Sequence, residues 1–156
     1  MKVLFVCSGN ICRSPMAAEY CRRRAAEVGL DGLVVDSAGT LGIEDEPAAD
    51  DARQVMAEIG VDLSRHRSKG IRPEDLRSTD YTIVMERRHL RYLSQHHPHA
   101  TDRRLLLRSF EEASDPHPYA PDLKDPIGLP IESFRELVPL VSRCVDHLVA
   151  FLQERA

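Results

Sequence analysis

The sequence predicts an α/β protein: a single-domain, doubly wound (Rossmann-like) sheet of four parallel strands with helices on both faces, spanning residues 1–156. Three observations predict it. Short apolar runs alternate with segments of helical periodicity along the whole chain. The runs are too apolar to leave a sheet face in water, as expected of parallel strands covered by crossover helices. A chain of 156 residues, 42% hydrophobic and 29% charged, has the composition and length of one globular core.

The first strand is the run KVLFVC at 2–7, and the loop CSGNICRSP at 7–15 follows. A helix from about Pro15 to Val28 comes next and closes at Gly29. Ser14 suits its N-cap and Pro15 its first helical position, where a missing N–H costs nothing. Ala17, Cys21, Ala25 and Val28 share one face of that helix, which makes Cys21 a core residue, while Arg22, Arg23 and Arg24 turn to water. The run LVVDSAG gives the second strand, followed by a helix from about Pro47 to Ile59 that ends at Gly60. A polar connector, RHRSKGIRPEDLRS, leads to a third strand in DYTIVM, a helix near Arg88 to His96 and a fourth strand in RRLLL. After a proline-rich loop, Phe134, Val138, Val141, Val145, Leu148 and Leu152 recur at helical spacings and define a terminal amphipathic helix. Cys144 lies beside that stripe as core, and Pro139 within the segment predicts a kink or a late start.

Charge excludes several functions. With 21 basic and 25 acidic residues the net charge is −4, which gives no basis for a nucleic-acid partner. No apolar stretch approaches the roughly 18 residues of a membrane span, and KVLFV is too short for a signal-peptide core. A soluble cytoplasmic protein with no membrane partner is expected. In that compartment Cys7, Cys12, Cys21 and Cys144 stay mostly reduced, so reactive or buried thiols are expected rather than a disulfide framework. HHPH at 96–99 reads as a polar helix end before a proline rather than a metal site, and EDE at 44–46 as a solvated loop.

The chemistry concentrates in CSGNICRSP. In a doubly wound fold the loop leaving a strand's carboxyl end is where ligands bind, and here it opens onto a helix N-terminus with unpaired N–H groups and a positive dipole end. Gly9 relaxes the backbone and Asn10 tolerates left-handed geometry, so successive amides from Ser8 through Cys12 can converge as a nest on a tetrahedral anion. Phosphate or sulfate is a natural occupant. Arg13 adds a planar fork of donors for two of its oxygens. The same field stabilises a Cys7 thiolate, placing a nucleophile beneath a bound phosphoryl group.

A cysteine, five residues and an arginine is a weak pattern alone, but VCSGNICRSP between strand and helix is specific. It resembles the signature V-C-x-G-N-x-C-R-S-P of the low-molecular-weight protein tyrosine phosphatases, and the resemblance runs the length of the chain. DSAGT at 36–40 resembles the family's second strand, with Ser37 steadying the loop asparagine, Asn10. His66 in RHRSK matches a recurrent family histidine that props the loop, and DYTIVME resembles the third strand, with Glu86 where the family often has aspartate. The resemblance implies a phosphomonoester hydrolase acting on phosphotyrosine in proteins or on small aryl phosphates, without metal or cofactor. In it Cys7 attacks phosphorus to form a phosphocysteine, Ser14 assists its departure, Arg13 and the loop amides hold the oxyanion, and an aspartate protonates the leaving group. Composition offers Asp115, Asp122 and Asp125 for that acid. The family's acid stands in an Asp-Pro pair nine residues ahead of a phenylalanine, which Asp125-Pro126 with Phe134 matches and Asp115-Pro116 does not.

The chain departs from the family where its substrate ring is clamped. Ile127 and Gly128 follow the Asp-Pro pair in place of aromatic residues, and TLGIEDEP after the second strand holds none, which weakens stacking on a phenyl group. Tyr119, in the proline-rich loop, is the candidate substitute. Two relatives are rivals. Thioredoxin-coupled arsenate reductases need two cysteines near mid-chain, where this sequence has none between Cys21 and Cys144. Bacterial arginine phosphatases carry threonine where Ile11 stands, so an apolar Ile11 favours the aryl phosphate pocket over phosphoarginine. A non-catalytic phosphate or phosphopeptide-binding module would need the loop but neither Cys7 nor Asp125. Cys12 packs beneath the loop, and the resemblance adds a reversible Cys7–Cys12 disulfide that protects the nucleophile.

Overall fold

The computed structural model describes residues 1–156. Four strands, β1 (Lys2–Cys7), β2 (Val34–Gly39), β3 (Tyr81–Val84) and β4 (Arg103–Leu106), form one parallel sheet in the order β2-β1-β3-β4. Side chains alternate across β1, so Val3, Phe5 and Cys7 join one core while Leu4 and Val6 join another. The first core lies beneath α1 (Arg13–Glu27), α2 (Asp50–Ala57) and α5 (Ile131–Gln153); the second lies beneath α3 (Pro73–Arg77) and α4 (Arg87–His96). Both faces are covered, which is why β1 and β3 are apolar throughout except for Lys2 and Thr82. No helix is long and apolar enough to cross a membrane.

The chain leaves β1 for β2 on one side and returns past it to β3 on the other. Strand order therefore reverses at β1, and the carboxyl end of that strand is the topological switch point where such sheets bind ligands. The loop after β1 sits there. Parallel pairing sets Cys7 beside Gly39, so the ends of β1 and β2 reach the same level.

Several boundaries differ from the sequence expectation, each through a tertiary contact. Helix α1 begins at Arg13 with Cys12 at its N-cap, so Ser14 is not the cap; its hydroxyl is engaged with Cys7 and Asn10 instead. Pro15 falls at the third helical position, where its missing N–H is still one of the four that find no partner in the helix. Helix α2 starts at Asp50 rather than Pro47 because Ala49 is extended and gives its N–H to Ile11 O at 2.8 Å. The polar connector contains α3, opened by Pro73 and by the Asp75 carboxylate accepting from Arg72 N at 3.1 Å. Its buried anchor is Leu76. A 3-10 turn at Leu107–Phe110 extends β4 into the first core. Helix α5 begins at Ile131 and runs through Pro139, so of the two expectations, a kink or a late start, the late start does not hold; Pro139 is on the exposed side, where water can serve the carbonyl left free one turn back. Cys21 and Cys144 are fully buried core, and burial pushes each thiol up to about 12.

Candidate active site

The loop from Cys7 to Ser14 is held by side chains from distant parts of the chain. Asn10 is its keystone, fully buried and left-handed at φ 56°. Its Nδ2 donates to Ser14 Oγ at 2.8 Å and Ser37 Oγ at 2.9 Å, and its Oδ1 accepts from Lys69 N at 3.0 Å. His66 Nε2–H donates to Asn10 O at 2.6 Å, which fixes that imidazole's tautomer, since a carbonyl only accepts. Burial lowers the His66 pKa, opposed by the hydrogen bond to Asn10, so the ring props the loop in its neutral form. Ser37 and His66 are thus both bonded to Asn10.

The Cys7 sulfur accepts from Asn10 N at 3.2 Å and lies 3.0 Å from Ser14 Oγ. Ser14 Oγ also accepts from Asn10 Nδ2, which leaves its one proton available to the sulfur. Asn10 N, Ser14 Oγ and the start of α1 therefore converge on the Cys7 sulfur. Cys12 differs: burial, with Cys7 and Asp125 adding to it, pushes its thiol up to about 12, so it remains protonated beneath the loop. All four cysteines are free thiols.

Arg13 is 1% exposed, and a buried guanidinium without partners would cost several kcal/mol. Its Nη1 donates to Glu86 Oε1 and to Leu123 O, both at 2.7 Å, and Nη2 lies 3.4 Å from Asp125 Oδ2. Burial opposes ionisation of Glu86, yet hydrogen bonds from Arg88 and Arg13 outweigh it and hold the carboxyl below its usual range. Glu86 therefore does what an aspartate would do there, reaching one methylene further. The Arg13 Nε is buried with no protein partner, a donor that an oxyanion in the loop would satisfy.

Cys7, Arg13 and Asp125 line one cavity of about 150 Å³, with Ser8, Gly9, Ile11 and Cys12. Of the three aspartates, Asp125 alone reaches it: Asp122 accepts from Arg87 N at 2.8 Å, and Asp115 lies in a separate depression. Asp125 Oδ1 accepts from Ile127 N at 3.1 Å, which turns the carboxylate back over the cavity. The remaining walls are Leu41, Ile43 and Ile127, so the cavity has aliphatic sides and no aromatic residue. Tyr119 does not replace the missing ring; it is 86% exposed, packs edge-on to His117 and lies outside the cavity.

The expectation for Gly9 changes. Gly9 has no left-handed backbone; a Cβ there would only touch Ile11 and Ile43 at ordinary distances. The demanding glycine is Gly39, where a Cβ would fall 2.6 Å from Ser8 O. It is the last residue of β2, and its close approach lets that strand cradle the phosphate loop. His89 was equally hidden: it is 1% exposed on α4, with Nε2 at 2.9 Å from Ser8 Oγ, and only its place three residues after Glu86 hinted at a capping role. The EDE loop is exposed at all three residues, as expected of a solvated loop, and Glu44 additionally accepts from Gly70 N at 3.0 Å.

Fold and cradle together define a class, that of the cysteine-dependent phosphatases. Within it, the family model described as low molecular weight phosphotyrosine protein phosphatase matches residues 2–156, and the chain belongs to that family. It is 32% identical over 152 residues to a protein-arginine-phosphatase of Geobacillus stearothermophilus, covering 97% of this chain and 96% of that one. The low molecular weight protein tyrosine phosphatase of T. tengcongensis superposes with a TM-score of 0.86 at 34% identity, covering 96% of this chain and 98% of that one. The YwlE arginine phosphatase, solved as a cysteine-to-serine mutant with a phosphorylated active-site serine, superposes with a TM-score of 0.90 at 25% identity over 99% of this chain and 97% of that one.

Proposed function

We propose that this protein dephosphorylates phosphotyrosine in cytoplasmic proteins, and small aryl phosphates, through a phosphocysteine on Cys7. The observation that carries the reading is the single cavity in which Cys7, Arg13 and Asp125 meet under aliphatic walls. Phosphate enters with its oxygens toward the loop amides and the Arg13 Nε and Nη2 donors, which stabilise charge on the equatorial oxygens throughout. Cys7 attacks phosphorus in line as the P–O bond to the leaving group breaks, and Asp125 gives that oxygen its proton. In the second step Asp125, now a carboxylate, takes a proton from water as its oxygen attacks phosphorus, and the sulfur departs as a thiolate received by Ser14 and the Asn10 amide. No step asks for a metal.

Phosphoarginine is the second reading, favoured by the likeness to arginine phosphatases. Ile11, Leu41, Ile43 and Ile127 support phosphotyrosine over it, because a guanidinium desolvated among aliphatic groups loses hydrogen bonds while a phenyl ring loses none. Steady-state kinetics on matched phosphotyrosine, phosphoarginine and phosphoserine peptides test the choice. The highest kcat/KM is expected for phosphotyrosine; a preference for phosphoarginine would overturn the specificity, and wild-type reduced protein that binds phosphate but hydrolyses none would leave a binding module.

A further inference from the structure

The first turn of α4 grips the phosphate loop at both ends. Glu86, its N-cap, holds Arg13, and His89, three residues on, holds Ser8. The tautomer of His89 follows from its surroundings. Glu86 N–H donates to Nδ1 at 3.1 Å, so the ring proton is on Nε2 and is donated to Ser8 Oγ at 2.9 Å. Burial, reinforced by Arg13, pushes the His89 pKa down to about 4, so the ring keeps this single neutral form at physiological pH. The Ser8 oxygen thereby accepts from His89, its own proton meets no protein acceptor, and Ser8 lines the cavity beside Cys7 and Arg13.

We propose that the Ser8 hydroxyl donates a hydrogen bond to a non-bridging phosphoryl oxygen, and that His89 is the positioning residue that turns its proton into the cavity. The assignment rests on the phosphatase reading and extends it: beyond the nest of backbone amides, a side-chain hydroxyl serves the phosphoryl oxygens. A neutral donor meeting a charged oxyanion accounts for about a tenfold effect or more on affinity and turnover.

Calorimetric affinity for inorganic phosphate, and kcat/KM for p-nitrophenyl phosphate, should be measured in wild type, Ser8→Ala, His89→Leu and the double variant. Ser8→Ala is expected to weaken phosphate and lower kcat/KM about tenfold or more, and His89→Leu to do so in the presence of Ser8 but not after Ser8→Ala. Wild-type phosphate affinity in Ser8→Ala would overturn the proposal. So would an equal His89→Leu loss in both backgrounds, which marks a purely structural residue. Should His89→Leu fail to fold, the wild-type imidazole ¹⁵N–¹H spectrum decides its half: the proton is expected on Nε2, and a proton on Nδ1 contradicts it. Phosphate affinity reads the cradle even in a protein without turnover, so loss of the phosphatase reading is distinguishable from loss of this one.

Discussion

The phosphate loop, residues 7–14, and the acid loop, residues 120–130, face each other across one cavity and are held by opposite means. In the first, Asn10, Arg13 and Ser14 are buried to within 1% and bonded to β2, to the connector at His66 and Lys69, and to α4. In the second, burial is confined to Ala120, Leu123 and Pro126; Ile127 is 51% and Leu129 52% exposed, and the Asp125 side chain 30%. The two touch where Arg13 donates to Leu123 O and approaches Asp125. The difference matches the work proposed for each. Charge stabilisation benefits from donors fixed before substrate arrives. A general acid must meet a leaving group and then a water at different positions, which an exposed loop on a few tethers allows.

Substitutions can break or sharpen that contrast. The largest effect is expected for Cys7→Ser, which should lower p-nitrophenyl phosphate turnover by about 10⁴-fold or more with an unchanged circular dichroism spectrum. Asp125→Asn should slow poor leaving groups by about 10²–10³-fold and good ones much less, while moving stability by under about 0.5 kcal/mol. Equal effects on both leaving groups would remove the acid role. Asn10→Ala, by contrast, should cost about 3 kcal/mol of unfolding free energy and activity together, since Ser14, Ser37 and Lys69 N all lose a buried partner.

The pH dependence of stability offers another view of the rigid side. His89, surrounded by Arg13, Glu86, Arg88 and Asp122, has its pKa lowered from 6.5 to about 4. The unfolded chain therefore binds more protons between those values, and stability falls as pH drops through that window. The loss approaches about 3 kcal/mol at pH 4, and urea melts of His89→Gln should show a flatter decline. Gly39→Ala should cost about 1–3 kcal/mol, with a raised KM as the new methyl presses on Ser8 O.

Sequence periodicity made the strands and the long helices legible because α1 and α5 each bury a continuous apolar stripe. It failed at α3, where five residues bury only Leu76 and no period can emerge. It misplaced the start of α2 because a contact with Ile11 O, remote in sequence, holds Ala49 extended. At the site, Cys7 and Arg13 are readable from motif spacing, whereas Ser37, His66 and the choice among three aspartates need the family pattern. His89 and Gly39 stayed hidden: both act on Ser8 from far along the chain, and neither role leaves a local signature.

The central claim is that the rigid loop carries the covalent chemistry. Quenching the protein in acid within milliseconds of mixing with p-nitrophenyl phosphate, then locating the phosphoryl group by peptide mass spectrometry, tests it directly. Phosphate on the peptide carrying Cys7, lost in Cys7→Ser and retained in Cys12→Ser, is the predicted result. Steady turnover with no phosphoprotein in any quench, or with the label on another residue, would contradict it.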